Sequence, residues 1–124
     1  SVQWADSSKW IRSRPPSKSN ITVHVCPHAH IDPGWFQTCN ELYNQLFKYT
    51  IDNVTSALKE NSQRTFTAEI VVIWAMRWGE ANETTRALIR QLVKEGRIEF
   101  SGGGWVQPDE AITHHEDLVD QLAL

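Results

Sequence analysis

Hydrophobic and polar positions along this chain fall into short β-rich runs separated by longer stretches with helical spacing. The run "TVHVCP", Thr22 to Pro27, is β-branched and strand-like, and Pro33-Gly34 breaks the chain after it. From Glu41 to Glu60 the period lengthens. Tyr43, Phe47, Val54 and Leu58, with Leu42, Leu46 and Tyr49 beside them, form one broad apolar face and predict a helix. "FTAEIVVIW", Phe66 to Trp74, predicts a strand covered on both sides. Asn82 to Glu95 predicts a second helix, with Leu88 and Leu92 on one face and Gly96 placed to cap its end. A third strand, Arg97 to Ser101, runs into Gly102-Gly103-Gly104 and Trp105. A last helix begins near His114 or Glu116 and is still running at Leu124.

The order β-α-β-α-β-α implies an α/β fold, with a parallel sheet and right-handed crossovers in an open sheet or a barrel. Three strands are few for either, and the closing apolar segment "LVDQLAL" reads as cut rather than completed. Residues 1–21 include "RSRPPSKS", which cannot run as a helix through Pro15 and Pro16, and they are expected to form a flexible, solvated lead-in. The first residue is Ser1, with no initiator Met and no basic-then-apolar secretion signal, so a mature product or an excerpt is expected.

Composition narrows the partners. The 124 residues fit one domain by the usual prior of about 100–200 residues. Twelve basic and fifteen acidic residues give a net charge of -3, which offers no electrostatic reason to expect nucleic acid or a membrane surface. No apolar run approaches the roughly 20 residues a membrane helix needs. Cys26 and Cys39 are too few for a disulfide framework and are expected to be small buried hydrophobes. Three acceptor sequons, beginning at Asn20, Asn53 and Asn82, point to a lumenal or extracellular setting reached through the secretory route.

In a parallel sheet, ligands bind at the carboxyl ends of strands. Two polar clusters fall there: His28-Ala29-His30-Ile31-Asp32 after strand one, and Gln107-Pro108-Asp109-Glu110 after strand three. Alternate residues of an extended segment face one way, so His28, His30 and Asp32 can converge. Two readings stand for them: mixed N/O ligation of zinc or a similar divalent ion, or histidines hydrogen-bonding loop backbone. Asp109 and Glu110 follow a Gly-rich turn that permits close approach. A helix-start charge cluster accounts for Glu110 better than for Asp109, which sits in the loop itself. Trp35 and Trp105 flank the clusters, either stacking on a sugar face or packing beneath the loops, with packing preferred for Trp105. Glu69, inside an apolar strand, is expected to be a satisfied buried carboxylate. His114 and His115 flank a helix start, and Arg77 and Trp78 close off strand two.

These residues carry a resemblance. Pro27-His28-Ala29-His30-Ile31-Asp32-Pro33-Gly34-Trp35, then Glu99-Phe100 with Gly103-Gly104-Trp105, then Pro108-Asp109-Glu110-Ala111, closely resemble the N-terminal part of the α-mannosidases of glycoside hydrolase family 38. The likeness runs from about Val23 to the end of the chain. It implies that residues 22–124 are the N-terminal portion of a catalytic domain built as an irregular parallel β/α barrel, incomplete as given, with the remainder of that domain as partner. It also implies a zinc-dependent, retaining exo-α-mannosidase acting on terminal α-linked mannose in glycans. By motif position His30 and Asp32 are implied zinc ligands, Asp109 both ligand and nucleophile, and Trp35 part of the mannose-binding floor. His28 matches the first motif histidine, a neighbour of the ligands rather than a ligand. The family's fourth ligand, a histidine, and its general acid have no match here. Ala29 stands where Ser or Thr is usual, and "EIVVIWAMRWGE" departs from the family's aromatic-rich strand end.

Two other readings remain. H-x-H-x-D also opens binuclear sites of amidohydrolase-like and metallo-β-lactamase-like enzymes, but the latter continue Asp-His where this chain has Asp32-Pro33-Gly34-Trp35. A non-catalytic truncated remnant is the other.

Overall fold

The computed structural model describes residues 23–123. The expected lead-in at 1–21 lies outside the described residues. Within them the elements are α1 (Cys39–Leu42), a π-helical turn (Tyr43–Phe47), α2 (Lys48–Glu60), β1 (Phe66–Ala68), α3 (Val72–Glu80), α4 (Glu83–Lys94), β2 (Ile98–Phe100) and α5 (His115–Leu122). The first three form one unbroken helix.

That helix starts at a capping box. Thr38 Oγ1 accepts the N–H of Glu41, and the Glu41 carboxylate accepts the Thr38 N–H at 2.8 Å, satisfying two donors left without partners inside the helix. The π turn then widens the winding, with Lys48 N–H donating to Tyr43 O five residues back. Tyr43, Phe47, Ile51 and Leu58 consequently enter the core, with Leu42 and Val54 packed against it. Leu46 and Tyr49, expected beside that face, are exposed; Tyr49 stands two residues before buried Ile51 in α2, about 200° around the helix from it.

β1 and β2 pair in parallel, Phe66 with Ile98, Thr67 with Glu99 and Ala68 with Phe100. The expected first strand is reduced to a single parallel bridge from His28 to Thr67, with Thr67 N–H donating to Pro27 O at 2.8 Å. Val23 and Val25 before it are exposed, so β-branching there finds no surface to cover it. Among the described residues the sheet has two strands, and the order and parallel sense of the expected α/β pattern are kept.

The expected strand Phe66–Trp74 ends at Ala68, and α3 takes over at Val72. A continuous apolar run suits a buried helix as well as a buried strand, and packing decides between them. Trp74 lies 6.4 Å from Phe66 and 5.8 Å edge-on from Phe100, so α3 covers the face shared by both strands. Thr67 and Glu99 occupy the opposite face, which is why the strand is not covered twice. Arg77 and Trp78, expected to close a strand, belong to α3. Arg77 Nε donates to Asp52 Oδ1 at 2.7 Å, tying α3 to α2, and Trp78 stacks under Arg90 at 4.8 Å.

α4 begins one residue after the expected start, with Asn82 as its cap: Asn82 Oδ1 accepts the N–H of Thr85 at 2.9 Å. It ends at Gly96, whose φ of +68° is a conformation glycine takes at little cost. Arg97 follows and reaches back to α2. Its guanidinium donates to Leu58 O, to Asn61 O at 2.7 Å and to Arg64 O at 3.2 Å, satisfying carbonyls at and beyond the helix end. Cys39 is half-buried, but Cys26 is exposed on the segment that did not become a strand, contrary to its expected burial.

Candidate functional site

Three segments leave the sheet at its carboxyl edge: 28–32 beyond the bridge, Glu69 directly after β1, and the glycine-rich stretch after β2. The turn into α3 closes over the third of these, with Val71 N–H donating to Gly104 O at 3.2 Å and Val72 N–H to Trp105 O at 3.1 Å. Gly104 is tightly held, since a β-carbon there would lie 3.0 Å from the Gln121 side chain. Beside it lies a cleft of about 250 Å³, lined by Glu69, Gln107, Pro108 and Leu118 among others.

Glu69 is the hub of this edge. One carboxylate oxygen meets His28 Nδ1, and the other accepts Gln107 Nε2 at 2.9 Å and lies 3.9 Å from His30 Nδ1. Its side chain is 14% exposed, and both oxygens are engaged. The expected satisfied carboxylate is therefore present, but just past the strand, and its partners are the polar clusters themselves. Sequence reasoning gave Glu69 no role in the site. The available signal was an acid at the carboxyl end of a strand in a parallel sheet.

His30 and Asp32 come together: Nε2 and Oδ1 are 3.3 Å apart, on side chains that are both largely exposed. Two donors each about 2.0–2.1 Å from one tetrahedral zinc ion stand roughly 3.3–3.4 Å apart, so this pair fits that group in spacing and donor type. Asp109 is engaged elsewhere. Its Oδ1 accepts the N–H groups of Ala111 at 2.8 Å and Ile112 at 3.0 Å, a side-chain-capped turn. Both bonds fall on Oδ1, and Oδ2 keeps its acceptor capacity. Glu110 lies in the same turn, five residues before α5, so it is not a first-turn helix acid. Trp35 is 73% exposed and touches Phe36 edge-on at 5.6 Å, and Trp105 is exposed rather than packed beneath its loop.

Elsewhere, His114 stands at the N-cap position of α5, without a side-chain capping bond, and His115 opens the helix, so the two flank a helix start as expected. Their imidazoles flank Glu116, with His114 Nδ1 3.1 Å and His115 Nε2 3.2 Å from its carboxylate. Among the described residues this is the only set of three such ligand atoms all within 4.8 Å of one another, and it lies on the exposed start of a helix.

No helix among the described residues is long and apolar enough to cross a membrane. Residues 20–124 match the family model for the glycosyl hydrolases family 38 N-terminal domain. The chain is 35% identical over 129 residues to a lysosomal alpha-mannosidase of Bos taurus, a match covering 98% of this chain and 13% of that protein. It is 39% identical over 103 residues to alpha-mannosidase 2x of Mus musculus, covering 83% of this chain and 9% of the relative. Alpha-mannosidase B of Dictyostelium discoideum is 36% identical over 104 residues, covering 84% and 10%. The chain thus spans about a tenth of the length of these curated relatives. With its two motif clusters meeting through Glu69 and the family match running over nearly its whole length, the chain belongs to the glycosyl hydrolases of family 38, in the N-terminal domain.

Proposed function

We propose that this chain is the amino-terminal portion of an α-mannosidase whose whole protein hydrolyses terminal α-linked mannose in glycans, retaining the anomeric configuration and requiring zinc. The observation that carries the reading is the meeting of the motif segments. Glu69 faces His28 and His30 and accepts a bond from Gln107, two residues before Asp109. The short parallel sheet is then one sector of an irregular β/α barrel that the remainder of the catalytic domain completes. The relatives' names, lysosomal among them, and the sequons support passage through the secretory pathway.

His30, Asp32 and Asp109 would hold the metal, and zinc bound there supplies a Lewis acid that fixes sugar hydroxyls. The chain's own residues do the rest. Glu69 holds the segment around His28 and His30 in register. Asp109 keeps its carboxylate braced through Oδ1 by the Ala111 and Ile112 amides, which stabilise the anion and leave Oδ2 to attack the anomeric carbon. The leaving oxygen departs with a proton from an acid outside this segment, and water then releases the glycosyl group from Asp109. Trp35 offers an indole face to the sugar's C–H face. By itself the 124-residue chain holds half a site; it binds zinc loosely and does not turn over.

The test is hydrolysis of an aryl α-mannoside by the whole protein before and after chelation, with the first-formed anomer read by NMR. Expected are loss of turnover on chelation, recovery with one zinc per chain, and α-mannose first. Full activity without metal would remove zinc from the reading, and β-mannose first would remove retention. Two metals per chain would favour the binuclear class, and no hydrolysis at all a non-catalytic remnant.

A further inference from the structure

The sequons are not equivalent in the fold. In Asn53-Val54-Thr55 the threonine is buried inside α2, and its hydroxyl donates to both Ile51 O and Asp52 O at 3.0 Å. Asn53 itself is exposed, but its backbone is locked in mid-helix. In Asn82-Glu83-Thr84 both Asn82 and Thr84 are exposed, at the break between α3 and α4. Asn82 is extended, with φ -71° and ψ 168°. Its carboxamide is already oriented, Oδ1 taking the Thr85 N–H at 2.9 Å, while Nδ2 makes no hydrogen bond among the described residues. The Glu83 side chain is drawn off to Arg90, 2.6 Å away.

Modification needs the amide nitrogen and the threonine hydroxyl accessible together. At Asn82 the folded chain meets that need: the asparagine is extended ahead of the helix, Thr84 is exposed in the first turn of α4, and attachment at Nδ2 leaves the Oδ1 cap intact. At Asn53 the need can be met only before α2 forms. We propose that Asn82 carries an N-linked glycan and that Asn53 is the poorer acceptor. This rests on the secretory reading above. The donor is a lipid diphosphate-linked oligosaccharide. Nδ2 bonds to the anomeric carbon of its first sugar, and the carbon–oxygen bond to the diphosphate breaks. The lipid diphosphate leaves with the electron pair, and Nδ2 loses one proton.

The experiment is secretory expression of the protein, enzymatic glycan release in heavy-oxygen water, and peptide mapping. Release converts an occupied asparagine to labelled aspartate. The expected result is label at residue 82 in most molecules and in a smaller fraction at residue 53. Asn82→Asp keeps a strong helix cap and Thr84→Ala leaves Asn82 in place, so each should lose one glycan step on a gel while remaining folded. An unlabelled Asn82 beside a labelled sequon elsewhere would overturn this inference alone. Absence of sugar from every sequon would overturn it together with the secretory reading. Higher occupancy at Asn53 would overturn the ranking.

Discussion

Gln107 and Glu69, 38 residues apart in the chain, are joined by a 2.9 Å hydrogen bond that brings the loop after β2 against the end of β1. The same carboxylate holds His28, so a single acidic side chain links segments from three parts of the sequence. On the proposed zinc site, a partner that orients the segments bearing the proposed ligands is expected to matter for affinity by about 10–100-fold.

Glu69→Gln keeps the size of the side chain and one acceptor oxygen but cannot satisfy both imidazoles and the Gln107 amide. Zinc affinity, measured by chelator competition, should fall about 10–100-fold while the circular dichroism spectrum is unchanged. Unchanged affinity would deny Glu69 its orienting part.

Asp109→Asn preserves an acceptor for the Ala111 and Ile112 amides, so the turn should survive. Turnover of an aryl α-mannoside by the whole protein should fall by about a thousandfold or more, because an amide is no nucleophile. Retained activity would remove Asp109 from the chemistry.

Arg97 holds the end of α2 through three carbonyls, with a side chain only 13% exposed. Arg97→Ala should cost about 2–3 kcal/mol in a denaturant melt, from charge-assisted bonds lost and carbonyls left poorly satisfied. Arg97→Lys should recover little of this, since an ammonium cannot span the same carbonyls with a planar fork.

Alkaline pH should weaken the fold through Tyr43. Burial, aided by its hydrogen bond to Glu80 at 3.1 Å, pushes this phenol from 10.0 up to about 12. Its native state therefore keeps a proton that the unfolded state gives up. That stabilisation is fully present below about pH 10 and is lost as pH rises toward 12. Urea midpoints taken from pH 8 to 11 should decline above about 10, and Tyr43→Phe should flatten that decline.

Much of this could be read in advance, and the failures share a cause. The helix beginning near Asn82, its Gly96 cap and the third strand were legible because each is decided by neighbours in sequence. The run at Val23 and Val25 and the run after Ala68 were misread, because whether an apolar stretch becomes strand or helix depends on what covers it. Trp74 against Phe66 and Phe100 is a contact that no local pattern contains. The site followed the same division. His30 beside Asp32 follows from alternation along an extended segment. Glu69 reaching Gln107 follows only from parallel pairing of β1 with β2.

The π turn at Tyr43–Phe47 has a consequence for how this architecture tolerates changes of length. It accommodates one more residue than an α-helix of the same span, so deleting one residue there should let the turn close to ordinary α winding while the two flanks keep their relative rotation. Everything upstream, from the Thr38 cap back through Gly34 to Asp32, would then hold its place. The same deletion within the α-helical winding of α2 should instead turn that upstream part by about 100°. A single-codon deletion thus spares or misaligns the first motif according to where in the helix it falls, with every proposed ligand still in place.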